Sequence, residues 1–180
     1  MCVIIDTNTL SRVFRRDNQM HNEFKPMFDW IYNGNGKIVY GGDKYIKELS
    51  KTRYIRLFKL FKDAAKIVEA DRDKVDNKVK EIEQSFKHRD FNDSHLVAIV
   101  IVSHCNLICS DDKTSYKFLR KREFYPNNIK RPKIYRGLQS RDLLVNKNCK
   151  PCDKKIKMRI SVPSNMQNIQ QRIDNFLNNN

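Results

Sequence analysis

The chain opens on a short unbroken apolar run, Val3-Ile4-Ile5, closed at once by Asp6. Apolar residues in sequence, without alternation, are expected of a strand buried on both faces. Asp6-Thr7-Asn8-Thr9 then offers capping side chains for a helix on which Leu10, Val13 and Phe14 share a side. Phe24, Met27, Phe28 and Ile31 recur at helical spacing until Asn33-Gly34-Asn35-Gly36 stops them. Lys37-Ile38-Val39-Tyr40 reads as a second buried strand, closed by Gly41-Gly42. From Asp43 to Tyr125 there is neither glycine nor proline, which favours long helices joined by short polar links. Ile46, Leu49, Leu57, Phe58, Phe61, Ala65 and Val68 predict one long helix, with a break near Lys51-Thr52-Arg53. Val75, Val79, Ile82 and Phe86 form the stripe of the next helix, with Asp71 near its start.

Leu96 to Val102 is apolar throughout and reads either as a strand, from its β-branched content, or as a fully buried helix. Leu107-Ile108-Cys109 makes a strand. If it runs parallel to the first, a helix must connect the two, which favours the helical reading. Residues 113–122 predict a basic helix, and Pro132-Lys133-Ile134-Tyr135 a last strand. Helical and strand patterns alternate, so the economical architecture is α/β, with a parallel sheet covered on both faces. Near the end, Ser164 can cap a helix whose stripe is Met166, Ile169, Ile173, Phe176 and Leu177. That helix is too short to persist alone, so its stripe must dock on its own domain, a second copy or a partner. The expected organisation is one domain over 1–145 and a basic C-terminal extension over 146–180.

Charge changes the picture more than overall composition does. Residues 1–112 carry 19 Lys+Arg against 17 Asp+Glu, whereas residues 113–160 carry 16 against 3. Nearly all of the net +15 therefore sits in one stretch, a pattern that attracts a polyanion through salt-sensitive phosphate contacts. No apolar run is long enough to span a bilayer, and the basic block has no clean apolar face for a membrane surface. The first residues lack the basic start of a signal peptide, and five cysteines do not suggest a secreted disulfide framework. The expectation is a cytoplasmic protein with no membrane partner.

Acids stand at the ends of four predicted elements. Asp6 follows the first strand, Glu48 lies early on the helix after the second, Asp93 precedes the Leu96–Val102 run, and Asp111-Asp112 follow Leu107-Ile108-Cys109-Ser110. Each alone has a plain structural use as a cap, a turn or a surface charge. In parallel sheets, however, ligands bind at the carboxyl ends of strands, where Asp6 and Asp112 would meet. Carboxylates gathered there repel unless a cation compensates, and oxygen ligands suit Mg²⁺ or Mn²⁺. An acidic cluster for metal and a basic block for phosphates together describe a nuclease.

The same residues carry a family resemblance. Val3-Ile4-Ile5-Asp6-Thr7-Asn8 resembles the opening of PIN-domain proteins, and Asp93-Ser94-His95-Leu96-Val97-Ala98 resembles their third acidic motif. Leu107-Ile108-Cys109-Ser110-Asp111-Asp112-Lys113 is similar to their fourth, and Glu48 matches their helical Glu. The resemblance covers about residues 2–145. It implies a Rossmann-like three-layer α/β/α sandwich with a central, mostly parallel sheet. It also implies a metal-dependent endonuclease acting on RNA more than on DNA, related to VapC-type toxins that an antitoxin restrains. Ser110 stands where Thr is common, two aspartates are adjacent, and the segment from Glu48 to Asp93 is long. These departures bear on a toxin role more than on the chemistry. The expected site is Asp6, Glu48, Asp93 and Asp112 around Mg²⁺ or Mn²⁺, with Asp111 as an outer contributor. Asn8 and Ser110 would orient carboxylates, while Lys113, Lys117, Arg120, Lys121 and Arg122 grip flanking phosphates. Docking of the terminal stripe on its own fold is the first expectation and a homodimer the next, with an antitoxin or other regulatory protein as the alternative partner.

Two further readings compete. One is a PIN-like module that binds nucleic acid, or regulates, without turnover. The other is a zinc-stabilised adaptor built on Cys149-Lys150-Pro151-Cys152, with Cys105 and Cys109 to complete four ligands. Two thiols in a basic arm suit that spacing better. His88, His95 and His104 fit no metal spacing and read as surface or packing residues.

Overall fold

The computed structural model describes residues 2–145 and 166–179. Five strands pair in the order β3-β2-β1-β4-β5: β1 (Cys2–Ile5), β2 (Lys37–Tyr40), β3 (Ile67–Glu69), β4 (Leu107–Cys109) and β5 (Lys133–Tyr135). Every pairing is parallel, with Val3 opposite Ile38, Ile4 opposite Ile108 and Cys109 opposite Tyr135. The protein is thus α/β with an all-parallel sheet. Its central strands are short because each is apolar from end to end and buried from end to end. Parallel neighbours require crossover connections, and the helices lie in these.

After β1 come α1 (Leu10–Phe14) and α2 (His21–Tyr32), which pack together. After β2, the single long helix expected from the apolar spacing is instead α3 (Asp43–Ser50), α4 (Tyr54–Asp63) and the strand β3. The stop after α4 is built without glycine. Ala65 takes a left-handed φ of 54°. Its N–H reaches the Lys62 carbonyl at 3.0 Å, and the Lys66 N–H reaches Phe61 at 2.8 Å. This pair of bonds is a Schellman close, in which the left-handed position usually falls to Gly.

α5 (Arg72–Ser85) starts where Asp71 accepts the Lys74 N–H at 3.1 Å. The ambiguous apolar run is helix α6 (Ser94–Ser103), buried on every side from Ser94 to Ile101. The basic helix expected over 113–122 shrinks to one turn, α7 (Tyr116–Leu119), followed by a 3₁₀ turn at Arg122–Phe124. Phe118 and Phe124 both join Phe86 and Phe91 in one aromatic cluster. Residues six apart face different sides of a continuous helix, so the chain has to bend between them.

α8 (Met166–Asn178) lies on α4 and buries Ile169, Ile173 and Leu177. Tyr32 bonds to Asp174 and Gln170, Arg16 donates to Asn178 at 2.8 Å, and Arg53 sits 5.1 Å above the Phe176 ring. The stripe expected to dock is docked on its own fold, except for Met166, which is exposed. A second copy or a partner protein must therefore use another surface. Among the described residues, no helix is long and apolar enough to cross a membrane.

Ala65 carries the cost of a left-handed backbone that glycine lacks, about 1 kcal/mol for an L-residue. Ala65→Gly is expected to raise the unfolding free energy by about 0.5–1 kcal/mol, measured from the denaturant midpoint at constant slope. A loss of stability would show that the close after α4 is unstrained.

Candidate functional site

β1 is flanked by β2 on one side and β4 on the other, so the chains leaving their carboxyl ends diverge and open a crevice between them. Asp6 stands at its floor. Its N–H extends the ladder to the Cys109 carbonyl at 2.9 Å, and the residue is 3% exposed. Oδ1 accepts the Asn8 backbone N–H at 3.0 Å, and Oδ2 accepts the Ser110 hydroxyl at 2.9 Å. Ser110 thus orients Asp6 as expected, whereas Asn8 does so through its backbone while its side chain faces solvent. Asp6 is also the cap of the 3₁₀ turn Thr7–Thr9, so its structural and chemical uses coincide.

Glu48 reaches the crevice from α3. Its Oε2 accepts the Thr7 hydroxyl at 2.9 Å and lies 3.5 Å from His95 Nε2. One turn earlier on α3, the fully buried Tyr45 donates its hydroxyl to the Ile5 carbonyl at 2.6 Å, pinning α3 over the end of β1. His95, 2% exposed, meets Tyr45 edge-on. Burial, helped by the Lys44 charge, lowers the imidazole pKa to about 3, so His95 is neutral. Its Nδ1 lies beside the Asn92 backbone without reaching hydrogen-bond geometry.

Asp93 immediately precedes α6. The next residue, Ser94, is fully buried, donates to Glu83 at 2.5 Å and accepts from Lys44 at 3.2 Å. Lys44 also bonds Glu83 at 3.1 Å, so α3, α5 and α6 are locked together beside Asp93. The Asp93 carboxyl is pushed up to about 7, first by burial, then by the charges of Asp6, Asp112 and Glu48; Lys44 opposes them. Asp6 is raised as well, mainly by burial, with Glu48 and Asp112 adding and the Asn8 and Ser110 bonds resisting. The four acids therefore sense one another across one crevice.

Asp112 completes the group. Its N–H donates to the Ser110 hydroxyl at 3.2 Å, and Oδ1 accepts the Thr114 N–H at 2.8 Å and hydroxyl at 2.6 Å. Asp111 turns elsewhere: it is ion-paired with Arg12 and accepts from Thr9 at 3.3 Å. It borders a neighbouring cleft of 820 Å³ whose cations are Arg12, Lys113 and Arg136, the last stacked 5.9 Å over Tyr116.

The expected phosphate-gripping residues scatter. Lys113 alone stands near the acids. Lys117 and Lys121 lie over the rings of Phe118 and Phe86, and Lys121 also pairs with Glu123. Arg120 and Arg122 border a different cleft. Cys109 is fully buried in β4 and Cys105 fully buried before it, so neither is placed to complete a zinc site. Cys149 and Cys152 lie outside the described residues. Sequence reasoning missed Thr7, Lys44 and His95; a lone histidine opening an otherwise apolar helix was the one signal present for the last.

The donor set suits a hard cation, since every candidate ligand is a carboxylate oxygen. Asp6 and Asp93 are both raised, first by burial and then by the charges of the neighbouring acids, which a bound cation would offset. Among the described residues, however, no group of three or more His, Cys, Asp or Glu side chains is gathered closely enough to hold an ion. Asp6, Glu48 and Asp112 are instead held by the hydroxyls of Ser110, Thr7 and Thr114.

Two buried groups give opposite pH dependences. Between about pH 4 and 7 the folded protein holds a proton on Asp93 that the unfolded chain has released, so this group lowers stability as the pH rises. His95 lowers stability as the pH falls below about 6.5, because only the unfolded imidazole takes up the proton. Asp93→Asn removes the first contribution. The metal-free variant is expected to be more stable than wild type near pH 7.5, by a margin that closes toward pH 4 in denaturation experiments. A constant margin would show that Asp93 titrates normally. No protein-family model, curated protein or solved structure matches this chain.

Proposed function

We propose that the protein is a PIN-like, metal-dependent endonuclease that hydrolyses phosphodiester bonds, most favourably in RNA. The observation that carries this reading is the placement of Asp6, Glu48, Asp93 and Asp112 around the β1–β4 crevice, where burial first and the neighbouring acids second raise Asp93 to about 7. Asp6, Asp93 and Asp112 would hold Mg²⁺ or Mn²⁺, with Glu48 completing the set directly or through water. The ion, when bound, supplies the positive charge that lets these carboxylates ionise together, acidifies water and stabilises the charge developing on phosphate.

The chain's own residues do the rest. Ser110 and the Asn8 amide fix Asp6, and Thr7 and neutral His95 fix Glu48, so the acids present oxygens in set directions. Gathering them on one ion requires Glu48 and Asp112 to turn from their hydroxyl partners. Lys113 and Arg136, in the neighbouring cleft bordered by Asp111, would meet phosphates flanking the scissile bond, and the face of Tyr116 under Arg136 suits an unstacked base. A role as a toxin, in defence or in RNA processing rests on the family resemblance alone, and a cytoplasmic location on the reading of the cysteines.

The second reading, a PIN-like module without turnover, is favoured by the hydroxyl bonds that hold three of the four acids apart. Cleavage separates the two. Asp6→Asn, Asp93→Asn and Asp112→Asn are each expected to abolish Mn²⁺-dependent cleavage of RNA while circular dichroism stays native. A readout independent of activity is proton release. Near pH 6 Asp93 carries a proton, so Mn²⁺ binding in weak buffer should release it, and Asp93→Asn should suppress that release. Binding without proton release would place the ion away from Asp93.

A further inference from the structure

Because β4 and β5 are parallel, the chain between them must return from the carboxyl end of the sheet to the opposite end. α7 begins that return beside Ser110, whose carbonyl accepts the Tyr116 hydroxyl at 2.9 Å, and ends at Arg120. The following loop enters β5 where the Lys133 N–H meets the Asn106 carbonyl at 2.7 Å, ahead of β4. Around this far end, Arg120, Arg122, Lys130, Arg131 and Lys133 border one cleft of 450 Å³, and no Asp or Glu among the described residues lines it.

The cleft is a built feature. Arg122 donates to Asn127 at 2.9 Å and to the Tyr125 and Pro126 carbonyls, so its guanidinium braces the loop. Tyr125, buried, donates its hydroxyl to the Leu119 carbonyl at 2.6 Å and ties the loop to the end of α7. Ile129 and Pro132 are buried, which anchors the segment carrying Lys130 and Arg131. Arg120, Lys130 and Arg131, brought together beside Arg122, repel one another, and a concave wall focuses their field. A row of phosphates relieves that repulsion. The exposed large apolar side chains, Met20, Leu138, Val145 and Met166, all lie outside the cleft, so it lacks the apolar element of a membrane-binding face.

We propose that this cleft is an accessory site for the phosphodiester backbone of a single RNA strand, at the pole of the sheet opposite the acidic crevice. That the same strand is also the substrate rests on the nuclease reading; anion binding in the cleft does not. A strand held at both poles must be long enough to pass from one to the other. Recruitment should therefore depend on length, and an oligonucleotide that fills only the crevice should gain nothing from these cations.

The test is the triple variant Arg120→Gln, Lys130→Gln, Arg131→Gln, three exposed residues. It spares Arg122, which braces the loop, and Lys133, which begins β5. Fluorescence anisotropy in EDTA would compare a labelled long polyuridine strand with a labelled trinucleotide across salt concentrations. For the long strand, the variant is expected to bind more weakly and to flatten the slope of log K against log salt by about 2, at roughly 0.7 for each phosphate that is no longer neutralised. Trinucleotide binding and the thermal midpoint should not change. Unchanged long-strand affinity and slope would overturn the proposal, and so would an equal loss for the trinucleotide. If wild type cleaves nothing in Mg²⁺ or Mn²⁺ but the variant still loses the long strand, the nuclease reading falls and the accessory site stands. If wild-type cleavage depends on Asp6 while the variant binds normally, the accessory site falls and the nuclease reading stands.

Discussion

Asp6 donates its backbone N–H to the Cys109 carbonyl one step beyond the last paired residues of β1 and β4. That bond fixes Asp6 beside Ser110, and Ser110 in turn sets the start of the turn carrying Asp112. A shift of one residue in this pairing would send alternate side chains to the other face and separate Asp6 from Ser110. The strands are too short for many ladder bonds to hold the register. Burial holds it instead, because Ile4, Ile5, Ile108 and Cys109 are all fully enclosed. The same burial recruits α6, whose uniformly apolar body has no solvent-facing side. Seating α6 against β1 and β2 carries Asp93 and His95 to the crevice. The chemistry of the site is thus positioned by the most apolar part of the chain.

Placing carboxylates over such a core has an electrostatic consequence that differs from residue to residue. Asp6 is the most deeply buried acid, yet a backbone N–H and a hydroxyl donate to it and offset part of the desolvation. Asp93 is raised to about 7, first by burial and then by the three other acids it faces, with Lys44 opposing them. Both aspartates are therefore harder to ionise than a free carboxyl. The surrounding locks do not relieve this. Tyr45 on the Ile5 carbonyl and Lys44–Ser94–Glu83 across three helices hold the backbone that brings the charges together. The fold works against its own repulsion here, an arrangement that makes sense where a cation completes the balance.

Much of this was legible in the sequence because the central strands are unbroken apolar runs and the helices carry clear stripes. Val3 to Ile5, Ile38-Val39, Leu107 to Cys109 and Ile134-Tyr135 read as strands, and an acid directly follows the first and nearly follows the third. The ambiguity of Leu96–Val102 yielded to topology, since two parallel strands need a helix between them. β3 was missed because its three residues are half-buried at an edge and the helix before it stops at an alanine, where a reader looks for glycine. The extended basic helix was overread because spacing within 113–122 says nothing of Phe86 and Phe91, which draw Phe118 and Phe124 to one cluster. His95 was read as packing. It does pack, on Tyr45, but its other edge faces Glu48, and no local pattern records a partner 47 positions away.

The basic block illustrates the same limit in its charge distribution. A sum over 113–160 describes one patch, whereas the connection from β4 to β5 distributes neighbouring residues over three surroundings. Lys113 stays at the crevice. Lys117 and Lys121 spend their charge over aromatic rings, covering Phe118 and Phe86 with their stems. Arg120 and Arg122 are carried to the far end of the sheet. The acids are placed by strand ends and the bases by a returning connection, so opposite charges adjacent in sequence, such as Asp112 and Lys113, need not cancel in space. Arg12, beside the turn after β4, is committed to Asp111 and leaves the raised pKa values of Asp6 and Asp93 in place. Lys44 opposes the rise at Asp93 without removing it, being shared with Glu83 and Ser94. A cation able to swing onto both acids would neutralise them and displace any ion they attract.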